Sequence, residues 1–399
     1  MTTDTTPSAP QSPLFSAPRR VASLAVLTAC VFVVGTAEWV VVGLLPQLAE
    51  DLRRPLPTVG SLVTWYALVV TVAGPLVTVG MLRLARRRAL LVLLGVFVAG
   101  NLAAALAGSF GALMAARMLT ALTHSTAFAV ALTIAVAMTP ATQRGRAIAV
   151  VTAGWNLATA FGAPLGTWLG DEFGWRATFW AITALAVLVL GAGTALVRPP
   201  APQEVARPGA EVRGMLRPKA ALVLAVIVLA QAGLFTAYTY IAPLLRQVSG
   251  FTDASVTVLL ALFGVGAIGG NVLGGQLADR APWAGLRTLL TALAGTLAVF
   301  TCTSGVGWAA AATVLALGVI AAALTPLLQD RALAAAPEAP TLVTAIGASA
   351  FNLGIAGGSQ LGGQALTVGL ALHDLPWAGA LVAGGAVLLA AVPLFSRVR

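Results

Sequence analysis

Charge is scarce in this sequence. Only 9% of its 399 residues are charged, while 59% are hydrophobic. A soluble globular chain carries about 25% charged residues, so a water-exposed surface is excluded for most of this one. Cysteine and histidine are equally rare, with two of each. Cys30 and Cys302 both lie in apolar runs, which excludes a disulfide framework. No H-E-x-x-H zinc motif and no G-x-S-x-G elbow is present, so an intramembrane enzyme is set aside. A Walker-type nucleotide loop is missing as well, so ATP hydrolysis by this chain is not the energy source. No metal and no cofactor is expected.

What the sequence does have is long apolar runs separated by short clusters of Arg, Pro and Gly. Crossing a hydrocarbon core takes about 20 residues in a helix. Barrel strands would alternate apolar and polar residues over about ten positions, and these runs do not alternate. Helical spans are therefore predicted near 21–46, 58–82, 89–107, 110–138, 147–169, 177–197, 220–245, 254–277, 286–303, 306–327, 342–370 and 376–396. The fold class expected is an all-α membrane protein with twelve transmembrane helices. Residues 1–20 form a Ser/Thr/Pro-rich tail, and the run after it is too long for a signal peptide, so it reads as a retained first helix. The polar, Pro-rich stretch 198–219 reads as a linker between a first bundle, 21–197, and a second, 220–399.

Basic residues give the orientation. With the N-terminus inside, 18 Lys and Arg fall on inner segments and 4 on outer ones (Arg53, Arg54, Arg176 and Arg246). This is the positive-inside bias. Acidic residues divide evenly, six to each side. The formal charge of +10 is therefore an orientation signal, and a nucleic-acid partner is not expected. Both termini are predicted to be cytoplasmic, in a multi-pass protein of the cell membrane.

An internal repeat supports two halves. Gly154–Gly166 (GWNLATAFGAPLG) aligns with Ala350–Gly362 (AFNLGIAGGSQLG) at a fixed offset of 196 residues. Asn156 then matches Asn352, Gly162 matches Gly358, and Gly166 matches Gly362. Such a repeat fits transporters whose substrate binds between the halves near the midplane. Channels lack this arrangement.

These residues resemble the major facilitator superfamily, and within it the twelve-helix drug:proton antiporters. The family's loop motif matches at Gly275-Gln276-Leu277-Ala278-Asp279-Arg280. Its first-half copy, Gly80 to Arg88, keeps the glycine and the basic cluster but has Leu84 where the motif has Asp. Arg117 resembles the second motif, and Gly162-Ala163-Pro164-Leu165-Gly166 the antiporter motif of the fifth span. Gly35-Thr36-Ala37-Glu38-Trp39, followed by Gly43-Leu44-Leu45-Pro46, resembles the first helix of actinobacterial chloramphenicol exporters and of related sugar and purine-nucleoside exporters. Gly174-Trp175-Arg176 fits the same group. The resemblance covers the chain after residue 20 and implies the two-bundle fold and a proton-driven exporter of a small organic compound. Chloramphenicol-like drugs come first, sugars or nucleosides are the alternatives, and a proton-independent uniporter stays open.

Candidate site residues follow. Glu38 is the sole acidic residue inside a predicted span, and intramembrane ionisable groups usually line a cavity or pair. It is read as a proton carrier, or else as half of a fixed ion pair. Arg117 is its natural partner, since both lie about 12 Å below the outer ends of their helices; the alternative is a bond to helix carbonyls. His124 shares a face with Arg117 and either extends a proton path or links two helices. The resemblance assigns Asp279, Arg280 and the basic cluster ending in Arg88 to gating. It also places Gly162, Pro164, Gly166, Gly358 and Gly362 between the bundles, where small residues allow close approach. Gln231, Tyr238, Asn156, Asn352 and Trp39 are candidate substrate contacts, suited to an uncharged or amphipathic molecule with a few hydrogen-bonding groups. The expected partners are that small molecule, protons and the lipid bilayer, and the protein is expected to act as a monomer.

Overall fold

The computed structural model describes residues 17–81, 83–197, 218–336 and 340–392. The tail at 1–16 and all but the end of the proposed linker lie outside them. Twelve long helices make up the described residues: α1 (Ala17–Asp51), α2 (Leu56–Met81), α3 (Arg86–Ala105), α4 (Phe110–Ala137), α5 (Arg144–Phe173), α6 (Trp175–Leu196), α7 (Pro218–Gln247), α8 (Asp253–Arg280), α9 (Pro282–Thr303), α10 (Gly307–Ala335), α11 (Pro340–Thr367) and α12 (Leu372–Ala390). Eleven are long and apolar enough to cross a membrane; the glycine-rich α11 completes the set. In lipid a backbone must satisfy its own hydrogen bonds, which is why these runs are helices with short connections.

Local chemistry sets the ends and the breaks. Ser109 caps α4 by accepting from the Ala112 N–H at 3.2 Å, and Thr252 caps α8 through Ser255 N–H at 3.3 Å. Gly174, at φ +83°, makes the turn between α5 and α6, a conformation that a Cβ disfavours. Two prolines explain two irregularities. A proline lacks an N–H and its ring crowds the carbonyl four residues before it. Pro164 follows a π-helical turn at Ala158–Gly162 that widens α5 where the Ala160 carbonyl would be crowded. Pro243 likewise lies four residues after Thr239, where α7 breaks between Tyr238 and Ile241. Pro46, expected to end the first span, instead lies inside α1, which continues to Asp51.

Helices α1–α6 and α7–α12 form two pseudo-symmetric six-helix bundles, joined chiefly by α2 against α11 and α5 against α8. The sequence repeat reappears as a packing repeat. In the first bundle, Cβ atoms added at Gly162 and Gly166 would strike Thr36 and Val40 of α1. In the second, those at Gly358 and Gly362 would strike Ala232 and Thr236 of α7. The two sets are related by the same 196-residue offset.

At those glycines the nearest neighbours belong to the same bundle: they seat α5 on α1 and α11 on α7. The close approach between bundles comes one helical turn away. Gly264 of α8 lies directly against Ala160 of α5, and Gly60 of α2 against the Tyr240 ring. Pro164 is buried in α5, directly after its π turn.

Candidate functional site

The functional candidates gather midway along the bundles. Glu38 and Trp39 on α1, Tyr66 on α2, Arg117 on α4, Phe235 on α7 and Ile355 on α11 line one small cavity of about 10 Å³. A cavity that size holds about one water, whereas drug-sized sites run to about 300–1,000 Å³. The bundles must therefore part before an organic substrate can enter.

Glu38 and Arg117 share this cavity, yet among the described residues no ion pair joins them. Arg117 is 1% exposed. It donates instead to the Ala37 carbonyl, and its Cζ lies 4.3 Å from the centre of the Tyr66 ring. Oε2 of Glu38 is buried and accepts no hydrogen bond. Glu38 as a residue is only partly buried, and its Oε2 is the carboxylate oxygen enclosed by the cavity wall. His124 shares a hydrogen bond at 3.0 Å with the Tyr66 hydroxyl, bridging α4 to α2, and stands edge-on to Trp155 at 5.0 Å.

An aromatic cluster adjoins the acid and spans the two bundles. The Trp39 ring lies 5.7 Å from Phe235 and 5.9 Å from Tyr238, and Tyr238 lies 4.4 Å from Phe263. The indole Nε1 of Trp39 is buried without a partner. Of the other expected substrate contacts, Gln231 is packed against Gly354 inside its own bundle. Asn352 donates to the Ala348 carbonyl one turn back on its own helix. Asn156 accepts from Asn271 at 2.8 Å and so ties α5 to α8. Trp39 and Tyr238 come together at the cavity; Gln231, Asn156 and Asn352 do not.

Polar ties between bundles occur at the end away from the one where α1 begins and again deeper along the helices. At the far end Asp171 of α5 accepts from Arg246 of α7 at 2.9 Å, from Thr257 of α8 at 3.3 Å and from Gln47 of α1. Arg246 also pairs with Asp253 at 3.0 Å. Nearer the middle, Thr71 and Ser349 exchange hydrogen bonds at 3.3 Å, and Ser359 donates to the Gly60 carbonyl at 3.1 Å. Asp279, Arg280 and Arg88, expected to gate the end where α1 begins, are exposed. No sequence motif marks this far-end network, although Arg246 is among the few basic residues on its side.

The comparisons agree with this architecture. A family model described as the Major Facilitator Superfamily matches residues 27–359. The inner membrane transport protein YdhP of Escherichia coli strain K12 is 36% identical over 365 residues, covering 90% of this chain and 92% of that protein. A chloramphenicol resistance protein of Streptomyces lividans is 33% identical over 389 residues, covering 92% and 95%. Among solved structures, the partially occluded, inward-open xylose transporter XylE from E. coli superposes with a TM-score of 0.72 at 16% identity, covering 96% and 98%.

Proposed function

Because the chain belongs to the major facilitator superfamily, and is thus a multi-pass membrane transporter, we propose that it exports small organic compounds in exchange for protons, chloramphenicol-like drugs first. The observation that carries this reading is Glu38: a partly buried acid whose enclosed Oε2 has no hydrogen-bond or ion-pair partner, in a cavity between the bundles, beside a buried arginine and an aromatic cluster contributed by both halves. An acid so placed binds a proton in one state and yields it in another, as antiport requires. The rings of Trp39, Phe235, Tyr238 and Phe263 suit a flat, uncharged molecule, and the free Trp39 N–H suits one with an acceptor. The likeness to the S. lividans resistance protein supports the drug class.

The basic-residue bias supports termini on the cytoplasmic side, with the Asp171–Arg246 network then on the outer face. The bundles are then closed outward. In the transport cycle an outward-open cavity delivers a proton to Glu38 as substrate leaves. The outer network re-forms, the cytoplasmic side parts, and substrate binding from within favours loss of the proton. The coupling is bounded by how differently the two states bind proton and substrate. The protein works as a monomer, since each bundle pair encloses a whole site.

Chloramphenicol accumulation in a drug-sensitive, efflux-deficient bacterium tests the reading. Expression should lower accumulation, and a protonophore should restore it. Accumulation equal to the empty vector, with the protein present in the membrane, removes chloramphenicol as substrate, and a panel of sugars, nucleosides and other antibiotics then replaces it. Low accumulation that a protonophore leaves unchanged removes the proton.

The outer network gives a second expectation. Asp171 and Arg246 side chains are only 9% and 18% exposed, and hydrogen bonds to charged groups are worth about 1.5–3 kcal/mol. Asp171→Asn should therefore shift the bundles toward the outward-open state by roughly tenfold or more. With Cys30 and Cys302 replaced by Ser, a cysteine at Val42, below the network, should react correspondingly faster with a membrane-impermeant maleimide added outside. An unchanged rate would mean that the pair does not hold the outer face shut.

A further inference from the structure

The partly buried acid and the buried guanidinium share a cavity, and opposite charges in a low-dielectric interior attract strongly. Something must keep them from collapsing into an ion pair. The side chain in position to do so is Tyr66 of α2. It is 2% exposed, and its ring face carries the Arg117 guanidinium at 4.3 Å. A cation over an aromatic face gains about 2 kcal/mol or more when desolvated. A second anchor, the Ala37 carbonyl, accepts a hydrogen bond from the same guanidinium. Together the two oppose the pull of the carboxylate.

The ring does not hold itself in place. Its hydroxyl shares a 3.0 Å hydrogen bond with His124 Nδ1, and the two rings meet edge to face at 5.7 Å. His124 in turn stands edge-on to Trp155 of α5 at 5.0 Å. A continuous stack thus runs from α5 through α4 to α2 and ends at the guanidinium. The charged and titratable groups around Glu38 are Arg117 from α4 and Tyr66 from α2 on the cavity wall, with Tyr238 of α7 reached through Trp39.

We propose that Tyr66 is a positioning residue for the proton site: its ring holds Arg117 off Glu38, so that the acid faces the inter-bundle cavity without a direct ion pair, and His124 fixes the angle of the ring. The proposal rests on the reading of Glu38 as the proton site. It gives His124 a role that does not require it to carry a proton. It also explains why a buried arginine and a partly buried acid can lie in one cavity without neutralising each other. In a fixed pair the acid would lose its capacity to exchange protons. Parked on the ring, the arginine stays close enough to receive the carboxylate when the bundles move.

The test is the effect of Glu38→Gln on thermal unfolding of the purified, detergent-solubilised chain in three backgrounds. With Tyr66 present the carboxylate has no partner to lose, so Glu38→Gln should leave the midpoint unchanged or raise it. With Tyr66→Leu the guanidinium is released to pair with Glu38, so the same substitution should now lower the midpoint by about 4 °C or more. Tyr66→Phe keeps the ring under Arg117 and its edge-to-face contact with His124 but loses the hydroxyl bond, and should respond between the native chain and the Leu background. A role confined to packing would move all midpoints of the Leu series together and leave the effect of Glu38→Gln unaltered, and that result would overturn the proposal. Tyr66→Met, an unbranched chain of similar reach, replaces the Leu background should that variant fail to fold. Unfolding is read without substrate or gradient. A chain that exports nothing in the accumulation assay therefore removes the transport reading without deciding this one, and an unaltered Glu38→Gln effect removes this one without touching transport.

Discussion

Glu38→Gln is expected to cut gradient-driven export by at least about tenfold, a loss equivalent to 1.4 kcal/mol or more of coupling. Exchange of labelled for unlabelled substrate across the same membrane should stay within about twofold of the native rate. The substitution keeps the side-chain volume and removes only the exchangeable proton. Because the Glu38 Oε2 atom accepts no hydrogen bond, little structure is lost with it. The measurement is made in proteoliposomes, with an imposed pH gradient in one arm and equal pH with substrate on both sides in the other. Loss in the gradient arm alone identifies Glu38 as the coupling group. Native behaviour in both arms would mean that the acid is a packing element and that the proton, if any, travels elsewhere.

A second large effect is expected at the contact between α5 and α8. A Cβ on Gly264 would collide with the Ala160 Cα and lie 2.6 Å from the Ala160 nitrogen and 2.7 Å from the Thr159 carbonyl oxygen. All three are backbone atoms, so no side-chain rotation can relieve the clash. Gly264→Val must push the bundles apart at the level of the π turn. Overpacking of this kind costs about 1–3 kcal/mol, enough to depopulate this closed arrangement of the bundles by roughly fivefold or more and to reduce transport to a similar degree.

Two neighbouring glycines serve as controls. Gly270 lies against the backbone of Val319 on α10, inside the second bundle. Gly270→Val should therefore lower folded yield rather than shift the open–closed balance. Gly269 meets nothing within 4 Å, and Gly269→Ala should be silent. Transport assays, together with maleimide labelling at Val42→Cys, separate these outcomes. Equal losses at Gly264 and Gly269 would show that the α5–α8 contact has no special part in closure.

The sequence carried a large part of this protein in its local pattern. Whether a segment crosses a membrane depends on its summed transfer free energy, a property of consecutive residues. The twelve runs, the lone acid at Glu38 and the buried Arg117 were therefore readable in order. The 196-residue repeat was readable too, because both halves keep the same small residues where α5 meets α1 and α11 meets α7.

What only the tertiary structure decided is which way those residues face and which partner each group takes. A helical position does not reveal its azimuth: Gly162 and Gly166 face α1, while Ala160, on the same short stretch, faces the other bundle. Charge alone pairs Arg117 with Glu38. The fold brings the Tyr66 ring and the Ala37 carbonyl to the guanidinium instead, from segments 51 and 80 residues away in sequence. The far-end network of Asp171, Arg246 and Gln47 joins three helices distant in the chain. Span formation is a local partition between water and lipid, whereas helix rotation and partner choice are settled by packing among segments that meet only once the bundle has assembled.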